Sequence, residues 1–91
     1  MKNELILKIS GGLSDIAIKA LKTDLKVLDI THSQINNIHR YFIPFTTLTK
    51  KTITKLSKYN PSQLFIPKEN YHKLQEEIGS LEHLPWINQI S

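Results

Sequence analysis

Glycine and proline cut this chain into short segments, and the order of apolar patterns between the cuts limits what it can fold into. The cuts fall at Ser10-Gly11-Gly12, Pro44, Asn60-Pro61-Ser62, Pro67, Gly79 and Pro85. Before the first, residues 4–9 (Glu-Leu-Ile-Leu-Lys-Ile) are β-rich and partly alternating, a strand. After it, Leu13, Ile16, Ala17, Ala20 and Leu21 recur at i, i+3, i+4, i+7 and i+8, one apolar face of a helix. Ser14 or a nearby residue caps that helix and Asp15 suits its positive end. Residues 26–30 (Lys-Val-Leu-Asp-Ile) predict a second, central strand, because Val27, Leu28 and Ile30 leave little polar surface. Thr31 or Ser33 then caps a second helix with Ile35, Ile38 and Phe42 on its apolar side, stopped by Pro44.

The stretch 45–59 carries two signals. Leu48, Leu56 and Tyr59 fit a helix, while five threonines and Ile53 favour strand or loop; helix is the preferred reading. Residues 64–66 predict a short strand, and Pro67 opens a helix striped by Tyr71, Leu74, Ile78 and Leu81. Gly79 weakens or ends that helix, and Pro85 stops it. The order β-α-β-α-(α)-β-α predicts a small α/β sandwich: about three strands in a parallel or mixed sheet, helices packed on it, one domain over residues 1–91.

Composition removes whole function classes. Without cysteine there are no disulfides, thiolate nucleophiles or thiolate metal sites, and the cytosol is the expected compartment. No apolar run approaches the roughly 20 residues of a membrane span, and the N-terminal stretch, broken by Lys8, is too short for a signal peptide. The Gly11-Gly12 turn lacks both the three spaced glycines of a dinucleotide fingerprint and the Gly-Lys-Ser/Thr of a phosphate loop. It reads as a tight strand-to-helix turn, and Asp29 as a capping or turn acid. His32, His39, His72 and His83 form no i, i+4 pair and no zinc-like cluster; His39, beside Ile38, is expected half-buried. Ser14, His32 and Asp29 lack a nucleophile elbow, and the adjacent Glu76 and Glu77 point apart on a helix. The chain is expected to be no enzyme and to need no metal or cofactor.

Charge is unevenly placed. The net +4 arises in the middle third, where Arg40, Lys50, Lys51, Lys55 and Lys58 stand with no acid, while the last third is net acidic. On a helix Lys51, Lys55 and Lys58 share one face, which suits phosphates or an acidic protein. The candidate stacking aromatics are Tyr41, Phe42 and Tyr59. Trp86, the sole tryptophan, sits in the tail with Ile87 and Ile90 and either docks back or anchors a partner.

Residues 25–38 look like one leucine-rich repeat with Ser33 at the asparagine position, but the neighbouring segments do not repeat it. Ser14-Asp-Ile16, leading to Val27-Leu28-Asp-Ile30-Thr31 and Ile35, resembles the helix-strand-helix core of the psi subunit of bacterial DNA polymerase III. Residues 74–83 look like the helix that closes that fold. The resemblance implies a non-catalytic adaptor joining a chi-like protein to the clamp loader in a replication complex. The chain departs from the family in beginning at the first core strand and in carrying Gln75 where a tryptophan is expected, which takes clamp-loader binding out of the expectation and leaves a chi-like partner in it. The primary expectation is therefore an accessory domain binding a protein partner, with no membrane. The alternative is nucleic-acid binding through residues 40–58. The expected binding residues are Arg40, Lys50, Lys51, Lys55, Lys58 and Trp86.

Overall fold

Strict alternation in the first strand sets the architecture. In β1 (Glu4–Ser10), Leu5, Leu7 and Ile9 are buried while Ile6 and Lys8 on the other face are only half-buried. The computed structural model describes residues 4–44 and 48–90. Its remaining elements are α1 (Asp15–Leu25), β2 (Thr31–Ile35), β3 (Ile38–Pro44), α2 (Lys50–Ser57), β4 (Gln63–Pro67), α3 (Lys68–Ile78) and β5 (Ile87–Ile90).

The sheet runs β2-β3-β1-β4-β5, with β1 at its centre. β1 is antiparallel to both β3 and β4, β2 is antiparallel to β3, and β5 lies parallel beside β4. Each of the first two helices thus links strands that run the same way with one strand slotted between them, a split βαβ arrangement. The third closes an ordinary βαβ unit. Leu21 of α1, Ile53 and Leu56 of α2 and Leu74 of α3 join Leu5, Leu7, Ile9, Tyr41, Ile43, Leu64, Ile66 and Ile87 in one buried cluster. All three helices therefore cover one face of the sheet. The result is a small α/β domain with a mixed sheet, of five strands rather than the expected three.

Only β1 and β4 match expected strands: β2 and β3 come from a stretch expected to be a helix, and β5 lies in the tail, where no strand was expected. Ile35, Ile38 and Phe42 have helical spacing, yet Ile35 and Ile38 are register partners across the two-residue turn Asn36-Asn37. Asn36 takes a positive φ of 56°, a conformation asparagine tolerates, and this lets the chain reverse. Residues 26–30 form no strand. They follow the left-handed cap at Lys26 (φ 57°), where the Lys26 and Val27 amides both donate to the Lys22 carbonyl. Val27 and Ile30 pack against the core, while Leu28 is 94% exposed.

α1 begins as expected, with the Ser14 hydroxyl accepting from the Ala17 amide, but it is rolled about its axis. Ile16 (82% exposed) and Ala20 face solvent, and Ile18, Leu21 and Leu25 face the core. Leu21 belongs to both faces, and exchanging Ile16 and Ala20 for Ile18 and Leu25 removes more apolar area from water. The ambiguous stretch is helical over α2, capped by Thr49; residues 45–47 lie outside the described residues. α3 starts after Pro67, buries Leu74 and ends at Gly79, whose φ is 99°, so Leu81, expected on the same helical stripe, lies beyond the helix. The tail docks back: the Leu64 amide donates to the Trp86 carbonyl at 2.7 Å, and Ile87 is buried.

Gly11 and Gly12 both have positive φ, but only Gly12 is crowded: a Cβ there would stand 2.7 Å from His39 Nδ1. Gly11→Ala should cost the left-handed penalty alone, about 1 kcal/mol. Gly12→Ala should lower the urea-unfolding midpoint further, because the His39 ring must also move. Equal losses would show that the ring yields freely.

Candidate functional site

Among the described residues, the helices leave the other face of the sheet uncovered. Alternation sends Ile6 and Lys8 of β1, Arg40 and Phe42 of β3 and Phe65 of β4 onto it, and all five are half-buried. Cross-strand register lines them up in two rows. Phe42, Ile6 and Phe65 are successive partners across β3, β1 and β4, and Arg40 is paired with Lys8 in the next row. The two phenyl rings are thus two strands apart, on the order of 10 Å. With Gln89 and Ile90 from β5, these residues line a shallow cavity of about 420 Å³. Lys8 Nζ lies 4.8 Å from the centre of the Phe65 ring, a cation–π contact. Ile35 and Ile38 continue the apolar strip to the hairpin tip, 55% and 39% exposed. Glu4, at the far end opposite Pro44, is the only acid in the five strands.

An uncovered face of an antiparallel sheet usually carries polar side chains. This one combines aromatic rings, aliphatic side chains and two cations. Such a surface can stack planar groups and pair with anions beside them.

The structure splits the expected basic segment. Arg40 alone reaches the open face. Lys50, Lys51 and Lys55 ride on α2 and Lys58 caps it, on the helical side of the sheet. Lys50, Lys51 and Lys58 are exposed, with the Lys50 backbone amide donating to Glu77 Oε1 at 3.3 Å, whereas Lys55 Nζ donates to the Asp24 carbonyl at 3.1 Å. Trp86 is half-buried and lines a second groove of about 200 Å³ with Ile53, Ile78 and Leu84. Of the three candidate stacking aromatics, only Phe42 is on the open face. Tyr41 is buried, its hydroxyl accepting from the Leu13 amide at 2.8 Å, and Tyr59 donates to Asp24 Oδ2 at 2.7 Å.

Lys8, Ile6 and Phe65 escaped the sequence reading. The alternation of residues 4–10 was the available signal, since it puts Lys8 opposite the leucines. Nothing local marks Phe65 as its neighbour.

The Gly11-Gly12 turn forms no phosphate cradle. The His39 imidazole fills the space above Gly12, and Tyr41 takes the Leu13 amide at the start of α1. Asp29 lies exposed in the α1–β2 connection rather than at a strand end. His32 Nε2 and His39 Nδ1 are 2.7 Å apart, with both rings stacked alongside Tyr41. Among the described residues no three His, Cys, Asp or Glu side chains are grouped to hold a metal, and no helix is long and apolar enough to cross a membrane. Comparison with protein-family models, curated proteins and solved structures finds no match to this chain.

Tyr59 is pushed up to about 12, first by burial, then by its hydrogen bond to Asp24 and that carboxylate's charge. An unfolded tyrosine releases its proton near pH 10. Between about pH 10 and 12 the unfolded chain therefore binds fewer protons than the native one, and stability falls as pH rises through that window. Below pH 10 the contribution is fully present. Tyr59→Phe should flatten this part of the stability–pH curve; an unchanged slope would show that neither burial nor Asp24 holds the phenol's proton.

Proposed function

We propose that this domain binds single-stranded nucleic acid on its open sheet face, without catalysis. The supporting observation is the placement of Phe42 and Phe65 on either side of Ile6, with Arg40 and Lys8 in the adjoining row. Every base has a flat π-face, and an aromatic platform holds bases whatever their sequence. Guanidinium and ammonium groups beside the rings meet the phosphates that link those bases. Lys8 rests over Phe65 in the free protein, and moving it to a phosphate clears that ring for a base. A duplex hides its base faces, which is why single strands suit this surface. The exposed Lys51 and Lys58 act at longer range, raising the local concentration of a polyanion. The cysteine-free composition suits a reducing compartment, and the reading sets the domain in the cytosol.

The psi-like adaptor is the second reading, and the groove beside Trp86 is what favours it. It requires a chi-like protein partner seated there and leaves the open face unused.

Fluorescence anisotropy of a labelled oligonucleotide of about ten nucleotides at low salt separates the two. Phe42→Ala and Phe65→Ala should each weaken binding by about 1–3 kcal/mol. Lys8→Gln and Arg40→Gln should each reduce the slope of log affinity against log salt by about 0.7. Changing Lys51 and Lys58 to glutamine should do less than either. No binding at low salt, or a larger loss from the α2-side pair, overturns the open-face assignment.

A further inference from the structure

β2 is an outer strand of the sheet, and every one of its residues is exposed. Outer strands present a row of unpaired backbone donors and acceptors, which proteins usually shield with lysine, proline, a bulge or a covering segment. β2 reads Thr-His-Ser-Gln-Ile, with no lysine and no proline. Its pairing with β3 is unbroken from Thr31↔Phe42 to Ile35↔Ile38, so no bulge twists it away. Among the described residues, three of the four exposed large apolar side chains lie on the hairpin or just before it: Leu28 (94%), Ile35 (55%) and Ile38 (39%).

Charge selects the occupant. Residues 30–39 contain no Lys, Arg, Asp or Glu, in a chain that is 22% charged and net positive. Two copies of a basic protein repel least where the meeting strands carry no charge themselves. Arg40, beside Ser33 in the register, is the nearest cation. Pairing through β2 sets the two Arg40 three strand spacings apart, about 14 Å, beyond the screening length at about 0.1 M salt. An acidic protein would instead be drawn to the lysines of α2.

We propose that two copies of this chain associate through β2, strand against strand, about a two-fold axis at Ser33. Antiparallel pairing sets Ser33 opposite Ser33, and Ile35 of one copy opposite Thr31 of the other. An axis normal to the sheet keeps both uncovered faces on one side, giving ten continuous strands. Five residues of pairing bury less than a standard stable interface, so the dimer forms with rising concentration. This inference does not depend on what the open face binds.

Sedimentation equilibrium of the intact chain, from micromolar to about 1 mM, tests it. The mean mass should climb from monomer toward dimer and not beyond. Ser33→Lys places like charges directly opposite across the axis and should weaken association by about threefold to fivefold, as should Ser33→Glu. An equimolar mixture of the two variants should associate more tightly than either alone, which a misfolded variant would not do. A chain that stays monomeric throughout, or a dimer indifferent to both substitutions and their mixture, overturns the proposal.

Discussion

The two-sided character of β1 is the constraint on which the rest of this molecule depends. As the central strand it pairs with β3 on one edge and β4 on the other, so its own alternation propagates into both neighbours. Leu5, Leu7 and Ile9 are almost fully buried against the helices, each contributing on the order of 2 kcal/mol of transfer free energy. A one-residue slip would turn Ile6 and Lys8 inward and place an unpaired ammonium in the core. The cost of that slip locks the register. The locked register in turn puts Phe42 and Phe65 in one row with Ile6, and Arg40 beside Lys8.

Packing all three helices on one side leaves this face free, and it also sorts the basic residues. Lysines that are close in sequence to Arg40 end up behind the sheet, one of them tied to the C-terminal carbonyl of Asp24 in α1. Lys8, remote in sequence, ends up beside Arg40 instead. The basic middle third of the chain is thus two separate surfaces. One has aromatic neighbours, the other has solvent and an apolar groove under Trp86.

Much of the fold was legible. β1, the Ser14 cap, β4, the start of α3 at Pro67 and its end at Gly79 all rest on local chemistry: alternation, capping hydroxyls and fixed backbone angles. The failures have one physical origin. Spacing records which residues share a face only once the element type is known, and a two-residue reversal mimics a helical interval. Ile35 and Ile38 are three apart because a turn separates them. Residues 26–30 are apolar because a crossover segment must still cover the core edge, through Val27 and Ile30. In α1 two apolar stripes competed, and the one carrying Ile18 and Leu25 buries more apolar area than the one carrying Ile16 and Ala20.

By itself, the amino-acid sequence determined a small α/β domain built on one core, without thiol chemistry, with its cations concentrated in the middle third. Those properties follow from composition, breaks and short-range periodicity, each of which acts within a few residues. Only the tertiary structure decided which cations stand together and which aromatic rings they flank. That choice is made by strand register between residues far apart in the chain, such as Lys8 with Arg40 and Ile6 with Phe65. No local pattern encodes it, because it depends on every strand finding its neighbour at once.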